Sequence, residues 1–209
     1  MKKNTIYQFA LIAIIIGAFI WSMIHPASNA DWLLENSPIF LVAILLIIFG
    51  RYLKLSSFSY TLIVLYLILP LMASHYGVTG VPIGYQIGKF MGFTRNMFDR
   101  VTHFAFGFLL FYPIYEIIFS IKEKKDFWNY YIPLETIIAA SALYEIFEWL
   151  SAVSVNPILA ASFYGTQGDP FDTPEDMTCA IAGALISMII LIIYNKYHER
   201  FRKNFRIWN

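Results

Sequence analysis

The sequence predicts an all-α, polytopic membrane bundle of about six transmembrane helices with both termini cytoplasmic. Three observations carry that expectation: the composition, a series of long apolar runs, and the way Lys and Arg are shared out between them. The 209 residues are 58% hydrophobic and only 14% charged, with mean hydropathy +0.59, whereas a soluble domain carries roughly a quarter charged residues. Aromatics at 18% suit the belts that anchor membrane proteins at the water interface. A formal net charge of +1 offers no footprint for nucleic acid or another polyanion. Cys179 is the only cysteine, so no internal disulfide forms, and its apolar surroundings mark it as a small core residue.

The first helix is expected over residues 6–24, behind Lys2 and Lys3. Such a run spans the roughly 30 Å of hydrocarbon. Ala27-Ser28-Asn29-Ala30 resembles a signal-peptidase site, but the run exceeds a usual signal h-region, so a retained helix is the expectation. Further helices are expected at 38–53, 58–74, 94–121, 132–153 and 176–194, all within one integral membrane domain, 1–209. Lys2 and Lys3, then Arg51 and Lys54, then Lys122, Lys124 and Lys125, then Lys196, Arg200, Arg202, Lys203 and Arg206 fall on one side of that topology. Lys and Arg mark the cytoplasmic side. The opposite side carries Asp31, Glu35, Asp169, Asp172, Glu175 and Asp176. Trp21, Trp32, Trp128, Trp149 and Trp208 stand near the expected boundaries, and Gly107, Ala139 to Ala142, Ala180 and Ala182 to Ala184 offer small faces for close helix contact.

Three polar clusters fall on the outward side. In Arg95-Asn96-Met97-Phe98-Asp99-Arg100-Val101-Thr102-His103, Asp99 and His103 are one helical turn apart. Asn96 has a plain structural reading as a cap, with Asp99 complementing the dipole. His103 lies inside an apolar run, where an imidazole needs a polar partner and marks a functional candidate. Glu145 and Glu148 share a face in the outer half of the fifth helix. Two acids in hydrocarbon persist only if paired with cations, sharing a proton or holding a metal; Arg95 and Arg100 are the nearest cations for a purely structural lock. The third cluster is the acidic stretch 165–177. Thr173-Pro174-Glu175-Asp176 starts a helix whatever the protein does. Gln167, Asp169 and Asp172 are not explained that way.

Carboxylates with an imidazole suit Zn, Mn or Fe, and all-oxygen subsets suit Mg or Ca. The expected ligands of a divalent metal ion are His103, Glu145, Glu148, Asp172 and Asp176. Glu145, Glu148 and His103 are the expected catalytic groups. Arg95, Arg100, Gln167 and Asp169 are the expected substrate-binding groups. No HExxH pattern identifies the metal. Glu116 and Glu135 read as interfacial, His25 and His198 as solvated, and His75 as a residue whose relation to His103 the sequence leaves open.

Three motifs together, Arg95-Asn96-x-x-Asp99-Arg100-x-x-His103-Phe104, Tyr144-Glu145-x-x-Glu148-Trp149 and Gly165-Thr166-Gln167-Gly168-Asp169-x-x-Asp172-Thr173-x-x-Asp176-Met177, resemble those of the YjdF-like bacterial inner-membrane family. His75-Tyr76 before a Pro-Gly loop also fits it. Pro174 departs from the pattern without disturbing the acids. The resemblance implies a polytopic protein of the plasma membrane and brings no activity with it. The function read from the residues is therefore a metal-dependent hydrolase at the outer interface, acting on a lipid-linked or envelope substrate. An ion-coupled transporter and a non-catalytic scaffold are the alternatives.

Overall fold

A computed structural model describes residues 3–49, 55–122, 126–154 and 166–206. The described residues form seven α-helices: α1 Lys3–Met23, α2 Asn29–Phe49, α3 Ser57–Tyr76, α4 Pro82–Met91, α5 Phe98–Lys122, α6 Trp128–Ser154 and α7 Asp172–Arg206. Five of them, α1, α3, α5, α6 and α7, are long and apolar enough to cross a membrane by length and composition. The result is a helical membrane bundle with no strand among the described residues.

Several boundaries move from the sequence expectation. Expected at 38–53, α2 begins at Asn29 and takes in Asp31 and Glu35; its expected end at 53 lies outside the described residues. Ser28 Oγ accepts from the Asp31 amide at 3.2 Å and caps it. Pro38 sits inside the helix and cannot donate to the Leu34 carbonyl. The Ser37 hydroxyl fills that gap, donating to Leu34 O at 2.8 Å. Part of the Gly- and Pro-rich loop is also ordered as α4, with Pro82 at its first turn and Gly92 closing it at φ 83°, a left-handed conformation that suits glycine. α5 starts at Phe98, not 94, because the residues before it form a pinned turn. α6 is longer at both ends than 132–153, and α7 runs past both ends of 176–194.

α5 is the central helix, packed against α3, α6 and α7, while α1 and α2 pack on α3. Its most extensive partner is α7. A Cβ on Gly107 would lie 1.9 Å from Ala180 O, and one on Gly183 would lie 2.1 Å from Phe104 O. The two backbones therefore touch where side chains would otherwise hold them apart. Phe111, Tyr115, Ile137, Ala180 and Ala184 form the core around this seam. The outer faces are apolar, as on α7 with Ile186, Ile189, Ile190 and Ile193. The polar residues instead gather inside, at the end of the bundle where α5 and α7 begin and α6 ends.

At the other end of the bundle, Glu116 accepts hydrogen bonds from Ser56 N, Ser56 Oγ and Ser59 Oγ. It is thus tied to the start of α3, which the interfacial reading of Glu116 did not anticipate.

Candidate functional site

The turn before α5 is built on one buried side chain. Asn96 is 1% exposed. Its Nδ2 donates to Thr79 O and Val81 O, each at 2.9 Å. Its Oδ1 accepts from Phe98 N at 2.9 Å and so caps α5. There is room for this only because residue 84 is glycine: a Cβ there would lie 1.7 Å from Asn96 Oδ1. The Asn96 backbone in turn makes a reciprocal pair with Gln167. Asn96 N donates to Gln167 Oε1 at 2.8 Å, and Gln167 Nε2 donates to Asn96 O at 2.9 Å. Gln167 holds φ 52° and Gly168 φ 86°, a tight turn that returns the chain to α7. The two polar loops are thereby fixed to each other.

Beneath this clamp lies a layer of arginine and carboxylate. Arg95 donates to Asp169 Oδ2 at 2.8 Å and to Asp172 Oδ1 at 2.7 Å. Arg100 donates to Asp172 Oδ1 and to Glu175 Oε2, each at 2.9 Å, and to the Asp172 carbonyl at 3.1 Å. It also donates to Asp176 Oδ2. Charge-assisted, shared contacts of this kind are the strong class of hydrogen bond. Both guanidinium groups are therefore tied to the start of α7, and the ion pairs do not run to Glu145 and Glu148.

One turn deeper the composition changes to imidazole and carboxylate. Asp99, His103, Glu145, Glu148 and Asp176 are all buried. Donor atoms of Asp99, His103 and Asp176 lie within 4.8 Å of one another. His103 Nε2 stands 3.6 Å from Asp99 Oδ1 and 3.4 Å from Glu145 Oε1. Thr173 donates a hydrogen bond to Glu145, yet Glu145 Oε1 and Asp176 Oδ1 have no hydrogen-bond partner. Glu148 lies within electrostatic reach of Asp99, Glu145, Glu35 and Asp176. α6 turns these acids inward because Leu143, Ile146, Trp149 and Leu150 occupy its outer face. The Tyr144 ring meets His103 edge-on at 5.7 Å.

This layer closes one end of a chamber of about 370 Å³ bounded by α2, α3, α5 and α6. Glu35, Asp99, His103, Ser141 and Tyr144 line its polar end, and the rest of the wall is almost wholly apolar, including Val42, Leu67, Pro70, Leu110 and Ile114.

Of the sequence-derived metal ligands, the structure brings His103 and Asp176 together with Asp99, sets Glu145 beside them and buries Glu148 nearby. Asp172 belongs to the arginine layer. Arg95, Arg100, Gln167 and Asp169, expected to hold substrate, are engaged with one another and with the backbone. His75 packs against the Trp21 ring at 4.2 Å, tilted, and meets Tyr76 edge-on at 4.6 Å. Sequence reasoning missed Glu35, which it placed in a loop. Its burial (5% exposed) follows from the early start of α2, and the Asp31–Glu35 spacing of one turn was the available signal.

Residues 7–197 match a family model described as "Predicted membrane protein (DUF2238)". The chain is 32% identical over 189 residues to the inner membrane protein YjdF of Escherichia coli strain K12, an alignment covering 89% of this chain and 88% of that relative. No solved structure matches it. The apolar helices, the buried polar layers and a match over nearly the whole length agree: the chain belongs to the DUF2238 family of membrane proteins.

Proposed function

We propose that the protein is a metal-dependent hydrolase of the plasma membrane, acting on a lipid-linked or envelope substrate. The carrying observation is the convergence of Asp99, His103 and Asp176 donor atoms within 4.8 Å, beside the unpartnered Glu145 Oε1. Buried acids this close repel and have shed hydration, and a divalent cation relieves both costs. One imidazole among carboxylates suits Zn, Mn or Fe. Such an ion supplies Lewis-acid polarisation and an activated water. Hydrolysis then adds one water across an ester or phosphoester. The water oxygen bonds to carbon or phosphorus as the bond to the alcohol oxygen breaks. Glu145, 3.4 Å from His103, takes the water proton and returns it to the departing alkoxide. The charge pattern of the loops supports an outward-facing site, and the inner-membrane relative supports the location.

A structural tie alone accounts for the arginine layer. It leaves the deeper acids without a reason, since no Lys or Arg is ion-paired with Asp99, Glu145 or Glu148 among the described residues. Thermal unfolding of the purified full chain, first with chelator and then with single divalent metals, tests the reading. A metal at a hundredfold excess over its Kd stabilises by about 2.7 kcal/mol, equivalent to a midpoint rise of about 5–10 °C at this chain length. Asp99→Asn and His103→Ala should abolish the rise. If no metal shifts the midpoint and both variants behave as wild type, the hydrolase reading fails.

A further inference from the structure

We infer that the apolar chamber holds one hydrocarbon chain of a bilayer lipid, taken in sideways from the leaflet, with the chain's polar linkage between Ser141 and the Asp99–His103 end. This rests on the proposed hydrolase only for the identity of the head-group end; the chamber argument stands by itself.

Shape comes first. The lining follows α5 from Asp99 to Ile117, eighteen residues or about 27 Å of helix rise. About 370 Å³ drawn out over that length is a slot one chain wide. Chemistry comes second. Carboxylate, imidazole and hydroxyl groups line one end, and apolar side chains line the remainder, the polarity of a lipid with a single head. The setting comes third. Three of the four helices that line the slot, α3, α5 and α6, are long and apolar enough to cross a membrane, where the surrounding solvent is itself hydrocarbon. α2 packs chiefly on α3 and contributes Pro38, Ile39 and Val42 to the lining, while α6 contributes Ala140, Ser141 and Tyr144.

Ser141 supplies the independent sign of a ligand. Helical Ser and Thr can return their hydroxyl to a carbonyl of the preceding turn. In the same helix Thr136 does so to Ile132 and Ser154 to Leu150. Ser141 is 2% exposed, lines the chamber, and its Oγ has no hydrogen-bond partner. It stands one turn below Glu145 on the same face, where it can donate to an ester or phosphoester oxygen while the chain runs down the slot.

The test uses full-length protein released from nanodiscs of phosphatidylethanolamine and phosphatidylglycerol, with retained lipid counted by native mass spectrometry. Leu110→Trp and Ile114→Trp narrow the slot from α5, and Val42→Trp narrows it from α2. Ile189→Trp, on the outer face of α7, is the control of equal bulk. Wild type and Ile189→Trp should retain one lipid. The slot variants should retain at least tenfold less while keeping the metal-induced thermal shift. Ser141→Ala should weaken retention about fivefold, one hydrogen bond's worth. Equal retention by wild type and all slot variants overturns the inference, as does retention of detergent in place of lipid. Slot-dependent lipid without any metal shift sustains the chain site and refutes the hydrolase. A metal shift without slot-dependent lipid refutes the chain site and leaves the hydrolase standing.

Discussion

Arg100→Met removes the keystone of the arginine layer while keeping most of the side-chain length. Arg100 is 5% exposed and pairs with Asp169, Asp172, Glu175 and Asp176. The four losses are unequal. Asp169 keeps Arg95 at 2.8 Å and Asp172 keeps it at 2.7 Å. The Glu175 side chain is 55% exposed, so its pair is largely screened and contributes little. Asp176, 2% exposed, is left with no guanidinium at all. Removing one partner of a buried pair costs roughly 3–5 kcal/mol, because the remaining charge is buried and uncompensated. With nearly all of the loss at Asp176, the low end applies, about 3 kcal/mol. At roughly 2–4 °C per kcal/mol for a chain of this size, the unfolding midpoint in detergent with chelator should fall by about 6–12 °C. The same logic predicts rescue. In Arg100→Met/Asp176→Asn the stranded carboxylate is gone, so about 2 kcal/mol should return and the two substitutions should be far from additive. A drop below about 2 °C for the single variant, or a double variant as unstable as the sum of the two singles, refutes the reasoning.

Asn96→Ala should cost about 3 kcal/mol, roughly 1 kcal/mol for each of the bonds to Thr79 O, Val81 O and Phe98 N; faster tryptic cleavage after Arg95 and a lower unfolding midpoint would register it. Gly183→Val should prevent α5 and α7 from closing, since its Cβ alone would lie 2.1 Å from Phe104 O; the expected outcome is loss of the monodisperse peak in size-exclusion chromatography. Gly17→Val in α1, where nothing lies within 4 Å of the added Cβ, should leave that peak unchanged.

The bundle was legible because its strongest signals are local. Apolar runs of membrane length and Thr173-Pro174 at a helix start each follow from short-range rules. The same holds for Asn96, whose capping of α5 is a contact two residues away. Gly107, Ala180 and Gly183 stood out as small faces without their partners being assigned. What was not legible depended on distant partners. Glu145 and Glu148 were weighed against Arg95 and Arg100 because the sequence supplies few other cations nearby, but the fold gives both arginines to the α7 acids. The sequence expectation placed no helix between residues 74 and 94. Instead Gly84 and Gly88 lie inside α4, where Gly84 makes room for Asn96 and a Cβ on Gly88 would lie 2.3 Å from Arg95 O. Glu35 reaches the polar end of the chamber because α2 starts at Asn29, ahead of Pro38, and the Ser37 hydroxyl satisfies the Leu34 carbonyl that Pro38 cannot.

Gly107 and Gly183 also decide which parts of the site can move. Each fills the place of the other's missing side chain with backbone, so α5 and α7 cannot slide or roll without losing that contact. Asp99, His103 and Asp176 thus ride on a single stiff spar, with Gly107 one turn below His103. Glu145 and Glu148 are mounted on α6 and Glu35 on α2, each on a lighter fastening. For the lipid chain inferred above, the opening it needs would fall to α2 or α6, not to the α5–α7 seam. The three converging donors share that one helix pair, while the glutamates stand on other helices.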